Sequence, residues 1–449
     1  MSFRCARCGY ISVKWLGRCP ACGEWETLVE DQAATGSRSA TTATWTGDAL
    51  RAVGEIDLTE VARRPTGLRE VDRVLGGGLV PGAMILVGGE PGIGKSTLLL
   101  QLAQSIAAAG DPVLYVSGEE SAAQVRMRAD RLGVGAERLF VLSEQSLSRI
   151  DAAVREVAPC LLIVDSVQTT LSEEAAGEAG SVRQLREVSA ELTRLTKGRA
   201  MTTFLVGHIT KEGGFAGPKS VEHLVDVALY VEGSRAEDVR VLRSVKNRFG
   251  ATDEVAVFQM TATGLKEIPE PSRFFLHEHE GEARAGTVVV PVLEGTRPIL
   301  VELQALVAPT GGYGIPQRRC TGLDLNRVLL LLAVIERHLS VSVTGADVYL
   351  SVAGGIEARE RAADLGVVAA VLSSLRGRPA PEKTVLVGEV GLSGEMRAVR
   401  RLRERLVEAA KLGYRRAVVP SRPAVRGVAG IEIAAVPTIE RAIAELALD

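Results

Sequence analysis

The chain has 449 residues, of which 46% are hydrophobic and 24% are charged, a globular balance that suggests two to four domains and excludes wholesale disorder. Lys and Arg total 53 against 55 Asp and Glu, so the net charge does not indicate a nucleic-acid partner and any basic surface must be local. The longest strongly apolar run, residues 328–335, is far shorter than the roughly 20 residues of a membrane-spanning helix. No secretory signal pattern opens the chain, and we expect a soluble, cytoplasmic protein with no membrane partner.

Four of the six cysteines form two Cys-x-x-Cys pairs near the start of the chain, Cys5 with Cys8 and Cys19 with Cys22. This spacing is typical of a structural zinc site with four thiolate ligands. The alternative is two disulfides, which would require an oxidising compartment. We predict a four-cysteine zinc finger over residues 1–30, whose folding energy the metal would supply. A flexible linker, rich in Ala, Thr, Ser and Gly, is predicted over residues 31–55.

Short apolar segments alternate with amphipathic ones over residues 56–270. This alternation predicts an α/β domain with a mostly parallel sheet covered by helices on both faces. Strands are predicted at residues 84–87, 113–116, 161–164, 204–206, 227–231, 239–245 and 255–260, and helices at 96–109, 122–132 and 182–197. Residues 271–449 form a second α/β pattern, with helices predicted at 325–339 and about 400–412.

A phosphate-binding loop is the strongest single motif in the sequence. Residues 89–96 match the pattern GxxxxGK[ST], with an apolar strand before the loop and a helix after it. Glycines allow backbone N–H groups to converge on phosphate oxygens at the helix N-terminus. The predicted nucleotide-binding residues are Gly89, Glu90, Pro91, Gly92, Ile93, Gly94, Lys95, Ser96 and Thr97. Lys95 is expected to reach the β- and γ-phosphates of ATP, and Ser96 to hold Mg²⁺.

Two further strand ends supply carboxylates. Asp165 ends an apolar run and is the expected second Mg²⁺ ligand. Glu119 and Glu120 follow another strand, on the crevice side of an open α/β sheet. We predict Glu119 as the general base that orients the attacking water, with Glu120 as the less favoured candidate. Both could instead simply open the next helix, where acidic residues suit the helix dipole.

Several motifs together resemble the RadA (Sms) family of bacterial DNA repair proteins. They are the four-cysteine motif, Thr66-Gly67 followed by Asp-Arg-Val-Leu-Gly-Gly-Gly at 72–78, the phosphate-binding loop, and Lys-Asn-Arg-Phe-Gly at 246–250. The resemblance covers essentially the whole chain. It implies a RecA-type ATPase core with Zn²⁺, ATP and Mg²⁺ as cofactors, assembly into a homo-hexamer, and DNA-dependent ATP hydrolysis in recombinational repair. The implied activity is helicase-like branch migration of strand-exchange products, with single-stranded DNA, branched recombination intermediates and the RecA recombinase filament as partners.

The resemblance also implies roles for individual residues. Glu119 matches the catalytic glutamate, and His208 matches the γ-phosphate sensor. Lys211, Phe215 and Lys219 lie in a glycine-rich stretch that looks like a mobile loop contacting single-stranded DNA, where lysines would meet phosphates and Phe215 would stack on a base. Lys246 and Arg248 would reach the ATP of a neighbouring subunit, as an arginine finger does. Without the resemblance, these last two cations would be interpreted as a charged strand end.

Residues 271–449 are similar to the proteolytic domain of Lon, most clearly at Gly-Glu-Val-Gly-Leu-Ser-Gly-Glu, residues 388–395. The segment that matches the Lon serine motif, residues 360–364, has no serine, with Ala362 at the nucleophile position. Arg403 matches the Lon lysine and cannot act as a general base near neutral pH. We therefore expect a proteolytically inactive domain. Residues 397–416 carry eight Lys or Arg, which indicates either a DNA-binding face or an ordinary solvated helix.

Three functions remain open from the sequence. The first is a DNA-stimulated ATPase motor. The second is a ring-shaped scaffold for protein partners, in which ATP only switches the conformation. The third, an ATP-dependent serine protease, is disfavoured by Ala362 and Arg403.

Overall fold

The computed structural model describes residues 3–8, 11–12, 14–25, 27–30, 52, 62–208, 221–233, 238–276, 283–310, 315–424 and 427–449. The chain divides into two compact units, Met1–Ile56 and Asp57–Asp449. The predicted DNA-contacting residues Lys211, Phe215 and Lys219 lie outside the described residues, as does most of the predicted linker. Among the described residues, no helix combines the length and apolar character that crossing a membrane requires.

The first unit contains a three-stranded antiparallel sheet. Its strands are β1 (Phe3–Cys5), β2 (Ile11–Ser12) and β3 (Leu28–Glu30), with β1 in the centre. Cys5 and Cys19 are buried beside each other. This small apolar interior is too limited to stabilise a domain by burial alone, so the four cysteines must contribute.

The larger unit begins with a nine-stranded sheet, in the order β12-β11-β10-β9-β4-β8-β7-β5-β6. Its strands are β4 (Met84–Gly89), β5 (Val113–Ser117), β6 (Leu139–Ser143), β7 (Leu161–Asp165), β8 (Thr202–Val206), β9 (Val227–Glu232), β10 (Val239–Asn247), β11 (Val255–Thr261) and β12 (Gly264–Glu267). The helices of this part are α1 (Arg69–Leu75), α2 (Lys95–Ala108), α3 (Ala122–Arg131), α4 (Leu147–Val157) and α5 (Val182–Gly198). Strands β9, β4, β8, β7, β5 and β6 are parallel, and β10–β12 extend one edge as antiparallel strands.

The parallel strands are buried on both faces, as the alternation of strands and helices predicts. Alternate residues of β4 show this: Ile85 and Val87 join the core that includes residues of α1, α2 and α3, whereas Met84 and Leu86 join the core that includes residues of α4 and α5. The fold class predicted from the sequence is confirmed for this part of the chain.

Most predicted elements of this part lie within a few residues of the observed ones, but the sequence interpretation missed β6, β12, α1 and α4. β6 lies at the edge of the sheet and is only partly buried. The signal for α4 was present, because Leu147, Ile150 and Val154 recur at helical spacing and all three are buried.

A second, seven-stranded sheet forms the rest of the larger unit, in the order β15-β16-β14-β13-β17-β20-β21. Its strands are β13 (Thr287–Glu294), β14 (Arg297–Pro309), β15 (Arg318–Thr321), β16 (Ala346–Val352), β17 (Thr384–Leu386), β20 (Arg416–Pro420) and β21 (Glu432–Val436), and β18 (Glu389–Val390) pairs with β19 (Met396–Arg397). The helices are α6 (Pro271–Leu276), α7 (Leu325–Leu339), α8 (Asp364–Arg376), α9 (Leu402–Lys411) and α10 (Ile439–Glu445). Residues of α7, α8 and α10 belong to the core on one face of this sheet, and residues of α9 belong to the core on the other.

The tip of the β13–β14 hairpin joins the two sheets. Gly295 has φ 61°, and a Cβ there would lie 1.8 Å from the Asp253 carbonyl oxygen, so only glycine fits this approach. The Arg297 guanidinium lies 2.9 Å from the Glu70 carboxylate on α1. Glu294 on the same hairpin pairs with Arg243 of β10 at 2.7 Å. The hairpin therefore ties the second sheet to both α1 and the antiparallel edge of the first.

Candidate nucleotide-binding site

The phosphate-binding loop connects β4 to the N-terminus of α2, as the motif predicts. Gly94 caps α2 with φ 118°, and a Cβ there would lie 2.8 Å from Met260 Cε. A Cβ at Gly89 would lie 2.7 Å from the Val231 carbonyl oxygen. Glycine at these two positions therefore lets the loop pack closely against the neighbouring strands, while the N–H groups at the start of α2 can bind phosphate oxygens.

Lys95 lies inside this loop. Its Nζ donates hydrogen bonds of 2.9 Å to the carbonyl oxygens of Gly89 and Glu90, and the residue is only 3% exposed. Burial lowers the pKa of Lys95 to about 8, although the carboxylates of Asp165 and Glu119 act in the opposite direction. The ammonium is thus held where phosphate oxygens can replace the loop carbonyls as its acceptors.

Glu119 and His208 meet beside the loop. The Ser166 hydroxyl donates a 2.9 Å hydrogen bond to Glu119 Oε1, and His208 Nε2 lies 3.5 Å from the same oxygen. Gln168 fixes the His208 backbone, since its side chain both accepts from the His208 N–H and donates to the His208 carbonyl, each at 3.0 Å. Burial, followed by the positive charge of Lys95, lowers the pKa of His208. The imidazole is therefore predominantly neutral at physiological pH.

Glu120 points in a different direction from Glu119. Its Oε2 accepts from Arg128 Nη2 at 2.7 Å, and its backbone N–H donates to the Ser117 hydroxyl at 3.0 Å. The sequence could not distinguish these two adjacent carboxylates. In the structure, Glu119 contacts Ser166 and lies near His208, whereas Glu120 is paired with Arg128.

The geometry brings four predicted residues together, namely Lys95, Glu119, Asp165 and His208. They follow or end the adjacent parallel strands β4, β5, β7 and β8, whose carboxyl ends meet at one edge of the sheet. The sequence interpretation missed Tyr115, Arg128 and Gln168. Tyr115 could have been singled out as a phenol inside an otherwise apolar buried segment, but its partner Asp165 lies 50 residues away in the sequence.

Lys246 and Arg248 lie at a different place, at the end of β10. Lys246 Nζ donates to the carbonyl oxygens of Glu222 at 2.9 Å and His223 at 3.3 Å, and Arg248 Nη1 lies 3.2 Å from Asp226 Oδ1. Both cations therefore contact the segment between residue 221 and β9. Within its own chain, the pentad is joined to this segment rather than to Lys95.

Asn247 and Phe249 of the same pentad hold it against other parts of the domain. The Asn247 side-chain amide donates to the carbonyl oxygens of Val74 and Leu75 at the C-terminus of α1, each at 3.3 Å. The Phe249 carbonyl accepts from Arg63 at 2.5 Å. In the pentad, the two cations Lys246 and Arg248 thus alternate with Asn247 and Phe249, which join it to α1 and to Arg63.

The four N-terminal cysteines form a cluster whose sulfurs all lie within 4.8 Å of one another. Cys5 Sγ lies 3.7 Å from Cys22 Sγ, and Cys8 Sγ lies 3.6 Å from Cys19 Sγ. A tetrahedral zinc site with Zn–S bonds of about 2.3 Å places its sulfurs about 3.8 Å apart, whereas a disulfide would need about 2.05 Å. A hydrogen bond with Thr27 is the main cause that lowers the pKa of Cys5 to about 6, which favours the thiolate that a metal requires.

Comparison with known proteins connects these sites to one family. Residues 51–214 match the family model of an AAA domain, residues 3–30 that of a rubredoxin metal binding domain, and residues 347–423 that of subunit ChlI of Mg-chelatase. The DNA repair protein RadA of Aquifex aeolicus is 47% identical over 442 residues, which cover 98% of each chain. The DNA repair protein RadA of Bacillus subtilis is 46% identical over 423 residues, covering 93% of this chain and 92% of that protein.

The chain belongs to the RadA family of DNA repair proteins. The resemblance inferred from the sequence is thereby confirmed, together with the fold class: a zinc ribbon, an AAA ATPase domain and a ChlI- or Lon-like C-terminal domain. The cysteine cluster and the AAA domain support Zn²⁺ and ATP as cofactors of this RadA-family chain.

In the Lon-like part, the predicted nucleophile position belongs to a short 3₁₀ turn, Arg361–Ala363, just before α8. Ala362 is buried. The preceding residue, Glu360, forms a two-pronged ion pair with Arg405 of α9, with both N–O distances 2.6 Å. Arg403, two positions earlier on that helix, is exposed. The segment that would carry a serine nucleophile is therefore occupied by alanine and anchored by a buried arginine.

Proposed function

We propose that this RadA-family chain is a DNA-dependent ATPase that acts in recombinational repair by promoting branch migration of strand-exchange products. The observation that carries the proposal is the meeting of Lys95, Glu119, Asp165 and His208 at the carboxyl ends of four adjacent parallel strands. A phosphate-binding lysine, a carboxylate that can hold Mg²⁺ and a second carboxylate that can orient the attacking water are groups that enzymes of phosphoryl transfer use. The family name supports the assignment to DNA repair.

Each residue has a defined role in this proposal. Lys95 binds the β- and γ-phosphates and neutralises charge that develops in the transition state. Glu119, fixed by Ser166, accepts a proton from the attacking water. His208 contacts Glu119 and senses the γ-phosphate. Lys95 follows β4 and Glu119 follows β5, two strands that are separated in the sheet by β8 and β7, so in this proposal the two side chains approach the reacting atoms from two places along the sheet edge.

The residues present also suit Mg²⁺. The Ser96 hydroxyl and the Asp165 carboxylate are oxygen ligands of the kind that this hard cation prefers. When bound, Mg²⁺ would neutralise charge on the β- and γ-phosphate oxygens. Asp165 ends β7 next to Ser166, so its carboxylate lies at the same sheet edge as the phosphate-binding loop.

Assembly and DNA contact form the second part of the proposal. A homo-hexameric ring would let Lys246 and Arg248 act on the ATP of a neighbouring subunit, and Lys211, Phe215 and Lys219 would contact single-stranded DNA. Branched recombination intermediates and the RecA filament are the proposed partners, in the cytoplasm. The proposed divisions are residues 1–30 for the zinc finger, 31–55 for the linker, 56–270 for the ATPase domain and 271–449 for the Lon-like domain.

We also propose that the Lon-like domain is proteolytically inactive. A Ser–Lys mechanism needs a nucleophile and a neutral amine, and Ala362 and Arg403 supply neither. Incubation of the full chain with unfolded casein, ATP and Mg²⁺ is expected to leave the casein intact. ATP-dependent cleavage that survives removal of contaminating proteases would contradict this reading.

The test of the main proposal is ATP hydrolysis with and without single-stranded DNA, alongside molecular mass in solution. Turnover is expected to rise with DNA, and the mass is expected to correspond to a hexamer. A branched DNA substrate then tests migration directly. Turnover that is independent of DNA, with no movement of the branch, would instead favour a nucleotide-switched scaffold.

A further inference from the structure

A line of polar side chains runs from Asp165 through Tyr115 and Arg128 to Glu120 at the start of α3. Tyr115 is fully buried in β5, and its hydroxyl lies 2.5 Å from Asp165 Oδ2. Tyr115 is in register with Ile163 of β7, and Asp165 lies two residues further along that strand. Because side chains two residues apart share a sheet face, the phenol and the carboxylate point to the same side of the sheet.

The line continues beyond the phenol. Arg128 Nη2, on α3, lies 3.3 Å from the Tyr115 hydroxyl oxygen and 2.7 Å from Glu120 Oε2. The Arg128 side chain is 17% exposed. Glu120, Arg128, Tyr115 and Asp165 therefore form a continuous chain from the start of α3 to the end of β7.

We propose that Tyr115 is a positioning residue that fixes the Asp165 carboxylate for Mg²⁺, and that Arg128 and Glu120 orient the Tyr115 hydroxyl for this purpose. This inference rests on the nucleotide function proposed above. It assigns a role to Glu120 that differs from that of a general base.

The direction of the hydrogen bonds supports this assignment. Arginine can only donate, so the Tyr115 oxygen accepts from Arg128, and the single phenol proton is directed to Asp165. Glu120 in turn accepts from Arg128 and holds the guanidinium in place. The ordinary pKa of a phenol is about 10, so the hydroxyl remains a donor at physiological pH.

A neutral donor suits a metal-binding carboxylate. A cation in direct contact with Asp165 would compete with Mg²⁺ for the same negative charge, whereas a phenol fixes one carboxylate oxygen and leaves the charge on the group. Partners that orient a metal ligand in this way commonly change metal affinity or activity about 10–100-fold when they are removed.

Tyr115→Phe is the direct test, because the substitution removes the hydroxyl and keeps the ring in the core. ATP hydrolysis and the binding of a fluorescent ADP are both measured over a range of Mg²⁺ concentrations. We expect the half-saturating Mg²⁺ concentration to rise about tenfold, with much of the turnover recovered at high Mg²⁺. An Mg²⁺ dependence identical to that of the unmodified chain would overturn the proposal.

Two further variants make the test specific. Tyr414→Phe changes a partly buried tyrosine of the Lon-like part and is expected to leave the Mg²⁺ dependence unchanged. Glu120→Gln is expected to raise the Mg²⁺ requirement less than Tyr115→Phe does and to retain turnover at saturating Mg²⁺. Loss of turnover in Glu120→Gln at every Mg²⁺ concentration, with Tyr115→Phe unaffected, would identify Glu120 as the base and overturn the inference.

The nucleotide-binding measurement separates this inference from the function on which it rests. If the unmodified chain binds ADP with Mg²⁺ but does not hydrolyse ATP, the proposed function fails, and the Mg²⁺ dependence of ADP binding still decides the role of Tyr115. Thermal unfolding of Tyr115→Phe should remain close to that of the unmodified chain. A Tyr115→Phe chain that unfolds much earlier but binds Mg²⁺ normally once folded would show a purely structural tyrosine.

Discussion

At the scale of single residues, neighbouring side chains in this site have different partners because they point in different directions. Glu119 and Glu120 are adjacent in the sequence, yet Glu119 contacts Ser166 and lies near His208 whereas Glu120 contacts Arg128. The difference follows from the start of α3, where the chain turns from β5 and successive side chains diverge. Two consecutive acidic residues in the sequence therefore identify a region of the site. The structure shows which of the two carboxylates contacts Ser166 and lies near His208.

Lys95→Ala is the residue-scale prediction. Lys95 is buried and its charge faces the phosphate-binding loop, so its removal leaves developing transition-state charge unmatched. We expect ATP turnover to fall by about 10²–10³ or more, by analogy with the loss of other transition-state donors. Steady-state hydrolysis measures the effect.

The matched control for this substitution is Lys411→Ala. Lys411 is an exposed lysine on α9 that lies 3.9 Å from Glu408, and its removal should leave turnover unchanged. DNA-stimulated hydrolysis that persisted in Lys95→Ala would show that the ATP site lies elsewhere.

At the scale of elements, the zinc finger depends on its metal rather than on a core. Cys5→Ser removes one of four thiolates from a cluster with little buried apolar surface. We expect loss of bound zinc and rapid amide hydrogen exchange over residues 3–30, with exchange in the nine-stranded sheet unchanged. Metal analysis and hydrogen-exchange mass spectrometry measure the two effects.

Cys320→Ser provides the control for this experiment, since Cys320 belongs to β15 of the second sheet. That variant should retain its zinc. If Cys5→Ser accelerated exchange equally throughout the chain, the finger would not be an independently folding element.

The basic stretch at residues 397–416 shows how partners distant in the sequence change the interpretation of a charge pattern. Arg405 is fully buried and pairs with Glu360, Arg397 pairs with Glu395, and Arg416 pairs with Glu445. Arg401 also donates to the Thr296 carbonyl oxygen, and Lys411 lies near Glu408, so at least five of the eight cations have a partner within the fold. The sequence-based alternative of a wholly basic DNA-binding face is correspondingly weakened.

Arg405→Ala is the prediction for this helix. The substitution leaves the Glu360 carboxylate and the Pro291 carbonyl without their buried cation, and breaking a buried pair in this way typically costs about 3–5 kcal/mol of stability. Arg403→Ala, two residues earlier and exposed, should change stability by less than about 0.5 kcal/mol. Urea unfolding of the two variants compares them, and equal stabilities would contradict the structural role of Arg405.

The difference between local motifs and contacts that join distant residues explains what the sequence could predict. The phosphate-binding loop and the cysteine pairs are local motifs, so their residues and chemistry could be identified before the structure. The contacts of Tyr115 with Asp165 and of Arg405 with Glu360 join residues 50 and 45 positions apart, and only the tertiary fold brings them together. The edge strand β6 was missed because its partial burial gives no clear hydrophobic pattern.

At the scale of the whole molecule, α1 contacts both the β13–β14 hairpin of the second sheet and the pentad at residues 246–250. Its Glu70 pairs with Arg297 of the β13–β14 hairpin, and its C-terminal carbonyls accept from Asn247. Asn247 lies between Lys246 and Arg248. α1 therefore contacts both the hairpin and the pentad that carries the two cations proposed to act on a neighbouring ATP.

The arrangement of those cations leads to the last prediction. Lys246→Ala should still bind ATP, because the phosphate-binding loop is untouched, but it should lose hydrolysis because transition-state charge goes unmatched. Mixing Lys246→Ala subunits with Lys95→Ala subunits creates interfaces that pair an intact loop with an intact Lys246. Once subunits have exchanged between rings, we expect partial recovery of turnover. The recovered turnover should not exceed the share of interfaces that pair an intact loop with an intact Lys246. A structure with a bound ATP analogue provides the contrary test. If Lys246 Nζ were remote from every phosphate, in its own and in neighbouring subunits, the trans arrangement would be contradicted. The pentad would then have only the structural role that the contacts of Asn247 already show.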